Sequence, residues 1–575
     1  MPSEPITQSF DLTGSAWLPV LRKDGTGDEL SLREIFDQAG DLRRLVGEVP
    51  TQEFALLRLL LAILHDALDG PRDLEEWQEL WDGGLPLDRI TAYLDDHRAR
   101  FDLLHPEEPF LQTADLRSVG GGFTSLDRIV ADVPNGAPFF TMRVRGVERL
   151  GFAEAARWLV HAHAFDTSGI KTGALGDPRV KGGKGYPQGV AWAGGLGGVF
   201  AEGDDLRETL LLNLVAFDTD NLRVDPERDL PAWRRPPAGP GEMDPAEMSG
   251  RPAGVRDLYT WQSRRVRFAH DAEGVHGVIL AYGDSLGAHN QHRREPMTGW
   301  RRSEAQEKKR GLPQVYLPRE HDPSRSAWRG LGALVAGRTQ WSEQRGEAAA
   351  IVRPRILDWV ARLTVEGDLP PDFLIRARLI GAVYGTQQSV IDEIVDDAVA
   401  MPVVLLHDGD TGLGRAAVDA VRDAEDAVTA LGDLAADLAR AVGAEPDPPK
   451  ESARHLGFGT LDRAFRDWLA GLRPGDSPQG KRAAWQTQAH RLVGRLGDDL
   501  LREAGDAAWG GRMVATRNGQ DLWLTASRAD LSFRIRLRKA LPAADPPKPR
   551  TPPESRDTDE PRNTDDEQHT VEARA

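Results

Sequence analysis

The chain has 575 residues, of which 40% are apolar and 28% charged, and its formal net charge is −18. This length exceeds the size at which one hydrophobic core stops growing, so it predicts one large and one smaller domain in a globular protein. The acidic balance argues against indiscriminate nucleic-acid binding over the whole surface. No cysteine occurs, which excludes disulfides, thiol nucleophiles and thiolate metal sites and is typical of a reducing compartment.

Neither the start of the sequence nor its most apolar segment indicates export or membrane insertion. MPSEPITQSF has no basic region followed by an apolar run, as a signal peptide would have. The most apolar stretch, FALLRLLLAILHDAL, is interrupted by Arg58 and His65 and is shorter than the roughly 18 residues that a membrane helix needs. We expect a cytoplasmic protein that does not contact a membrane.

Basic residues concentrate in two segments of this acidic chain. Residues 141–190 hold eight Lys or Arg against four Asp or Glu, and residues 251–311 hold twelve against seven. These segments either pair with acidic residues elsewhere in the fold or form surfaces for an anionic partner.

Residues 1–402 have the pattern of a mixed α/β domain. Ser31 and Glu34 have the spacing of a capping box, and a second helix is predicted from Thr51 to Leu68. Residues 105–300 combine short apolar runs with many Gly, Pro and Asp, which predicts loops and short strands.

Alternating apolar residues from Phe373 onwards predict a β-hairpin. Apolar positions alternate with Arg376 and Arg378, and the alternation resumes after the turn. The tip of this hairpin is then Gly385–Ser389. A helix through the same residues is the alternative, because short apolar runs are ambiguous.

From residue 403 to 541 the spacing becomes helical. Apolar residues repeat at intervals of three, four or seven from Val418 to Val442. Three further helices are predicted at Ser452–Leu472, Lys481–Ala504 and Arg528–Leu541. The fold class expected is therefore α+β, with a large mixed α/β domain followed by a C-terminal four-helix bundle. Residues 542–575 contain almost nothing apolar and are predicted to form a disordered acidic tail.

Histidine and aspartate pairs offer one candidate for catalysis. His65 precedes Asp66, and HAHAFD brings together His161, His163 and Asp166. A metal-dependent phosphohydrolase could use such residues, but satisfied histidines of a helical core have the same spacing. HExxH and GxxxxGK[ST] motifs are absent. A phosphohydrolase is therefore kept only as the alternative to a protein without catalytic residues.

The stretch VKGGKGYPQG, from Val180 to Gly189, indicates a binding loop. It contains four glycines and two of the ten lysines in the chain. Glycine lets a backbone approach a partner closely and adopt positive φ, and lysines beside it suit a phosphate-rich groove. A surface loop with incidental lysines is the alternative.

Two glutamines occupy the predicted hairpin tip. Gln387 and Gln388 can both donate and accept hydrogen bonds, so they suit contacts with base edges or entry into a base stack. A polar turn without a partner is the alternative.

Together these segments resemble the CasA family, the large subunit of Cascade, which is the type I-E CRISPR RNA-guided surveillance complex. The resemblance extends from about residue 10 to 540 and rests on FDLTGSAWLPVL, HPEEPFLQT, FDTSGIKTGALGDPRVKGGKGYPQGVAWAGGLGG, EPMTGWRRSEAQEKK and the glutamine turn. It implies an N-terminal α/β domain, a C-terminal four-helix bundle and no catalytic activity.

The resemblance also implies which residues bind nucleic acid. The family's glycine loop, which follows the minor groove of the protospacer-adjacent motif (PAM), corresponds here to Lys181, Gly182, Gly183, Lys184 and Gly185. Its glutamine wedge corresponds to Gln388, with Gln387 and Ser389 beside it. A loop near the 5′ handle of the guide RNA corresponds to Phe140, Arg143, Arg145 and Arg149. A further PAM-contacting lysine loop is expected only somewhere within residues 293–310.

The implied partners are the other Cascade subunits, the crRNA 5′ handle, double-stranded target DNA and a helicase-nuclease recruited after R-loop formation. No cofactor and no metal are expected, because the cysteine pairs of some relatives are missing here. Gln387 and Ser389 differ from the side chains usual at this tip, so the PAM sequence stays open. A scaffold whose basic segments only contact RNA is a third alternative.

Overall fold

The architecture is that of a computed structural model, which describes residues 8–133, 145–219, 222–335, 350–367, 369–407, 411–515 and 521–544. The helices before residue 408 are α1 (Leu32–Asp37), α2 (Pro50–Leu68), α3 (Leu74–Gly83), α4 (Leu87–Asp96), α5 (Phe152–Phe165), α6 (Leu206–Leu212), α7 (Pro245–Met248), α8 (Val255–Tyr259), α9 (Glu304–Arg310), α10 (Leu331–Val335) and α11 (Arg355–Val365). The strands there are β1 (Leu18–Arg22), β2 (Gly27–Leu30), β3 (Leu42–Leu45), β4 (Lys171–Thr172), β5 (Lys184–Gly185), β6 (Gly198–Glu202), β7 (Arg264–Asp271), β8 (Gly274–Tyr282), β9 (Trp300–Arg302), β10 (Tyr316–Pro318), β11 (Ile351–Val352), β12 (Leu374–Tyr384) and β13 (Ile391–Pro402). The remainder contains α12 (Thr411–Val442), α13 (Asp447–Ala470), α14 (Pro478–Glu503), α15 (Asp506–Gly510), β14 (Arg512–Ala515), β15 (Asp521–Leu524) and α16 (Ala526–Ala540).

Helix α2 is the central helix of the N-terminal part. Every residue from Thr51 to Leu68 is buried, because α5, α8 and β12 all pack against this helix. The predicted start at Thr51 is confirmed within one residue. Ser31 and Glu34 form the predicted capping box at the start of α1.

The histidines of α2 and α5 are buried core residues. His161 Nε2 lies 2.9 Å from Thr51 Oγ1, and His65 Nδ1 lies 2.9 Å from the carbonyl oxygen of Gly70. Thr51 and His65 are about 21 Å apart along α2, at 1.5 Å per residue, so the two histidine groups do not converge. Within the described ranges, no group of three or more His, Asp or Glu side chains is arranged to hold a metal ion.

The other residues of the phosphohydrolase alternative also have structural partners. Asp66 pairs with Arg234 at 3.0 Å and with Arg256 at 3.1 Å. His163 Nε2 lies 2.8 Å from the carbonyl oxygen of Leu111. These residues therefore do not form the metal centre that the alternative requires.

The residues from Phe373 onwards form the predicted hairpin, so the helical alternative is wrong. β12 and β13 pair antiparallel over their whole length, and β6 pairs with the other edge of β12. β12 is therefore the central strand of a three-stranded sheet. Arg378 is buried in this strand, where the carboxylates of Glu53 and Asp396 pair with it.

Four long helices, α12, α13, α14 and α16, pack together in the C-terminal part, and the α+β fold class is confirmed. Three of them begin between two and five residues before their predicted starts. Helix α15 and the β14–β15 hairpin, which separate α14 from α16, were not predicted from the sequence. No helix in the described ranges is both long and apolar enough to cross a bilayer.

The boundaries of the domains remain a prediction. One hydrophobic core extends through both parts of the chain, so burial alone does not separate them at residue 402. Pro542–Ala544 form a short 3-10 helix. Residues 545–575, which make up nearly all of the predicted disordered tail, lie outside the described residues.

Side chains from both parts of the chain meet at α13. Trp328 is fully buried, stacks on Phe465 at a centroid distance of 4.4 Å and donates to Asp462 at 2.8 Å. Asp397 of β13 accepts hydrogen bonds of 3.1 Å from Arg466. The hairpin is therefore joined to the bundle by packing and by charge.

We expect buried His161 to make the fold sensitive to acid. Burial lowers its pKa to about 4, from an ordinary value of 6.5. Between these values only the unfolded state binds the extra proton, so stability is lost as pH falls. His161→Gln can still reach Thr51 but does not titrate. The free energy of unfolding that is lost between pH 7.5 and 5.5 should therefore be about 1 kcal/mol smaller in this variant than in the unmodified chain. Denaturant unfolding at both pH values measures this.

The exposed His276 provides the matched control. His276→Gln should leave the pH dependence of unfolding as it is in the unmodified chain. If His161→Gln also leaves it unchanged, His161 is not held neutral by burial.

Candidate nucleic-acid interface

The glycine loop is the tip of a small β-hairpin. Lys181 and Lys184 exchange two backbone hydrogen bonds of 3.1 Å, which leaves Gly182 and Gly183 as the two turn residues. Their φ angles are +57° and +73°, a conformation that strains residues with a side chain. These four residues are exposed, whereas Gly185 is buried where β5 pairs with β4. The loop therefore presents bare backbone between two lysines.

Close packing against the loop fixes its position. A Cβ atom on Gly173 would lie 2.5 Å from the carbonyl oxygen of Gly183, so the two backbones approach as only glycine allows. Val119 donates its backbone N–H to Gly173 at 2.9 Å, and its side chain lies beside Gly183. Neither Gly173 nor Val119 was singled out from the sequence.

Gln387 and Gln388 occupy the tip predicted for them. Both have a φ of 56°, a left-handed conformation that costs a residue with a side chain about 1–2 kcal/mol. Both are exposed, as is Thr386. Gln388 N donates to Gly385 O at 2.9 Å, and Gly385 N donates to Val390 O at 3.0 Å. The turn thus holds two exposed amide side chains on a strained but hydrogen-bonded backbone.

Tyr384 fixes the base of this turn. Its hydroxyl donates to the carbonyl oxygen of Phe165 at 2.6 Å, at the end of α5, and burial raises its pKa above the ordinary value. Glycine is required at two positions nearby. A Cβ on Gly194 would clash with the Tyr384 hydroxyl, and one on Gly385 would clash with the Asp392 carboxylate.

One short stretch, residues 166–172, joins the glycine loop to the glutamine turn, and we call it the frame segment. Ser168 N donates to Gln388 O at 2.7 Å. Three residues further on, Lys171 pairs with Gly185, a separation of at most about 11 Å along the chain. Both candidate DNA-binding elements are therefore bonded to the same segment.

The third predicted residue of the turn also contacts this segment. Ser389 lies against Gly169, where a Cβ atom would be 3.8 Å from Ser389 Cβ. Its hydroxyl donates back to Thr386 O at 2.8 Å. Ser389 therefore closes the turn, and Gln387 and Gln388 are the exposed amide side chains of that turn.

A buried ion cluster fixes the frame segment. Asp166 pairs with Lys171 at 2.7 Å and with the guanidinium of Arg264. Burial opposes ionisation of Asp166, but these two positive charges hold its pKa below the ordinary value. Arg264 also donates to the carbonyl oxygens of Thr167 and Gly189, at 2.9 and 3.1 Å. Asp166, a candidate metal ligand in the phosphohydrolase alternative, is thus part of an ion pair.

Tyr282 of β8 supports the same segment. Its hydroxyl lies 2.8 Å from the carbonyl oxygens of both Ser168 and Gly169. The guanidinium of Arg264 lies 4.9 Å from the centre of its ring, which is a cation–π contact. The roles of Ser168, Tyr282 and Arg264 were not predicted from the sequence, because contacts between distant parts of the chain leave no local pattern.

The lysines of the glycine loop are available to an anionic partner. Among the described residues, no carboxylate lies within 4.0 Å of Lys181 or Lys184. A cavity of about 280 Å³ adjoins the glutamine turn and is lined in part by Trp192, Arg301 and Gln388. The surface around both loops therefore combines exposed cations, bare backbone and amide groups, which suit phosphates and base edges.

The structure describes only part of the predicted guide-RNA loop. Phe140 and Arg143 lie outside the described residues. Arg145 and Arg149 are both exposed, and Arg149 forms a surface ion pair with Asp271. The run at residues 293–310 ends in α9, and its position as the lysine loop remains a prediction.

Residues 11–496 match the model of the family described as CRISPR-associated protein Cse1. A curated relative, the CRISPR-associated protein CasA/Cse1 of Thermus thermophilus, is 32% identical over 446 residues, which cover 76% of this chain and 80% of the relative. A chain of a CRISPR RNA-guided surveillance complex has the same fold, with a TM-score of 0.61 at 20% identity over 92% of this chain and 99% of its own.

Two further solved structures are more similar. The crystal structure of Thermobifida fusca Cse1 is 66% identical, with a TM-score of 0.86 over 93% of this chain and 98% of that one. The Cse1 structure from Acidimicrobium ferrooxidans is 31% identical, with a TM-score of 0.78 over 94% and 99% of the two chains. The resemblance noted in the sequence is thus confirmed: this chain belongs to the CasA/Cse1 family of CRISPR-associated proteins.

Proposed function

We propose that this chain is a non-catalytic subunit of a type I-E CRISPR surveillance complex, Cascade, that recognises the PAM in double-stranded DNA and starts the opening of the duplex. The observation that carries the proposal is that the glycine loop and the glutamine turn are both exposed and both bonded to the frame segment. A duplex that contacts one element therefore lies within reach of the other.

In this proposal the glycine loop contacts the minor groove. That groove is only about 6 Å wide, so a turn without side chains at Gly182 and Gly183 can approach it closely. Lys181 and Lys184 then neutralise phosphates on the groove walls. The minor groove distinguishes mainly A·T from G·C, so recognition by this loop tolerates several PAM sequences.

The glutamine turn acts as the wedge. Separating a base step costs a few kcal/mol, and a side chain that enters the step offsets part of that cost. Gln388 suits this role because its backbone carbonyl is bonded to Ser168 and its N–H to Gly385, so little ordering remains to be done when DNA binds. Later growth of the R-loop is nearly balanced, so the wedge acts on the first step.

The proposed partners are the crRNA, the other Cascade subunits and a helicase-nuclease. Phe140, Arg143 and Arg145 contact the crRNA 5′ handle or a neighbouring Cascade subunit. The opened duplex is then presented to a separate helicase-nuclease, which supplies the catalytic residues. The protein acts in the cytoplasm, where it meets invading DNA.

Removing the Gln388 side chain should impair opening of the duplex without disrupting the complex. Gln388→Ala takes away the amide, and Gln388→Gly does the same while favouring the left-handed backbone. We expect both variants to assemble normally and to reduce the fluorescence increase of a 2-aminopurine placed next to the PAM by about tenfold, since each loses the group that offsets unstacking.

Comparing the two variants distinguishes the loss of the side-chain amide from an effect of the strained backbone. If Gln388→Ala is impaired and Gln388→Gly is normal, the turn geometry matters and the wedge role fails. A normal signal in both variants also excludes the wedge.

Removing the two lysines of the glycine loop should weaken PAM-duplex binding and its dependence on salt. For Lys181→Ala with Lys184→Ala we expect the slope of log affinity against log salt concentration to fall by about one for each phosphate that is no longer neutralised. Filter binding of a PAM duplex to the assembled complex, over a series of salt concentrations, gives the slope.

Lys23→Ala with Lys450→Ala is the matched control, because it removes the same charge from side chains that pair with Asp205 and Asp433. The control should leave the slope unchanged. Equal slopes for all three proteins would show that the loop lysines do not contact phosphate.

A further inference from the structure

Helices α14 and α16 form an exposed surface that is both basic and apolar. Leu531 and Ile535 of α16 are 61% and 59% exposed, although large aliphatic side chains are among the most often buried. Exposed cations surround them. We call this surface the basic face, and its residues are Arg491, Arg495, Arg528, Leu531, Ile535 and Lys539.

An ion pair indicates that the two helices present these residues on one side. Asp498 follows Arg495 by three positions and Arg491 by seven, so the three share one side of α14. On α16, Arg534 follows Leu531 by three positions and therefore shares its side. Arg534 pairs with Asp498 across the two helices, so these sides form one surface.

The cations of the basic face are not neutralised within the part of the chain that the structure describes. No carboxylate there lies within 4.0 Å of Arg491, Arg495, Arg528 or Lys539. By contrast, Arg534 and Arg536 have aspartate partners on α14, α16 and α12. Four cations without a carboxylate partner in that part of the chain, beside two exposed aliphatic side chains, form a surface that suits a peptide with acidic and apolar residues.

We propose that residues 545–575 of this same chain dock on the basic face. They hold nine Asp or Glu against five Lys or Arg, and six of the acids fall within residues 557–567. Six prolines between the charges offer apolar rings to Leu531 and Ile535. The segment thus complements the face in charge and in apolar surface.

The geometry of the chain permits this docking. The backbone N–H of Ala543 donates to Gln486 Oε1 at 2.8 Å. Gln486 lies about one and a half helical turns before Arg491 on α14, so residues 545–575 begin close to the basic face. The residues between Ala544 and Asp557 can span up to about 40 Å, whereas the basic face is only about 17 Å long on α16. The acidic residues therefore reach every cation of the face.

A covalent tether makes such docking effective even when each contact is weak. Short linkers give effective concentrations in the millimolar range, and salt screens the attraction. The docked segment covers Leu531 and Ile535 and competes with any other polyanion for the face. This inference is independent of the proposed function.

The test uses full-length chains throughout. In one variant the six acids of residues 557–567 are replaced by Asn or Gln, which leaves the basic face open. The probe is a fluorescently labelled peptide of residues 545–575, followed by anisotropy at low salt. We expect the peptide to bind this variant on the order of tenfold more tightly than the unmodified chain, whose own segment competes, and we expect salt of about 0.5 M to weaken that binding.

A charge reversal on the face locates the binding. In the variant with the neutral segment, Arg491→Glu with Arg495→Glu should abolish peptide binding. Lys308→Glu with Lys309→Glu, the same change on exposed α9, should leave it intact. Equal binding to the unmodified and neutral-segment chains, or binding that survives the reversal at Arg491 and Arg495, would overturn the proposal.

Discussion

The candidate interface depends on the buried carboxylate of Asp166. It forms ion pairs with Lys171 and Arg264, both of which are almost fully buried. Breaking a buried ion pair by removing one partner costs about 3–5 kcal/mol, because a charge is left without compensation. Lys171 lies in the strand that pairs with the glycine loop, and Arg264 donates to carbonyls on both sides of that loop. One charge cluster therefore sets the position of elements that would otherwise be independent surface loops.

The glutamine turn gains rigidity from the other end of its hairpin. β12 is the central strand of its sheet, and Arg378 joins it to Glu53 of α2. Farther from the turn, Asp397 of β13 pairs with Arg466 of the bundle. A wedge on a loose loop would lose about 1–2 kcal/mol of backbone entropy per residue ordered on binding. A turn at the end of a hairpin fixed along its length avoids most of that loss.

Local patterns predicted the elements of this fold better than the contacts between them. Alternation located the hairpin and its tip, and helical spacing located the long bundle helices within a few residues. The same approach missed the four-residue strands β14 and β15, which are too short to establish a period. It also made Asp166 a candidate metal ligand, because an aspartate near histidines has the same spacing in a metal centre and in an ion pair. Arg264 and Tyr282 are about 100 residues from the segment that they hold, so no local pattern could reveal them.

The two loops form their tight turns with different types of residue in the left-handed conformation. The glycine loop places glycine at both left-handed positions, which costs little. The glutamine turn places residues with long side chains in the same backbone region, at a cost of about 2–4 kcal/mol for the pair. Glycine or asparagine would close that turn with less strain, so closing the hairpin does not account for glutamine there. What the strained turn adds is two exposed amides on a backbone that is bonded to the frame segment. Bare backbone in one loop and amide side chains in the other are what a groove contact and a wedge respectively require.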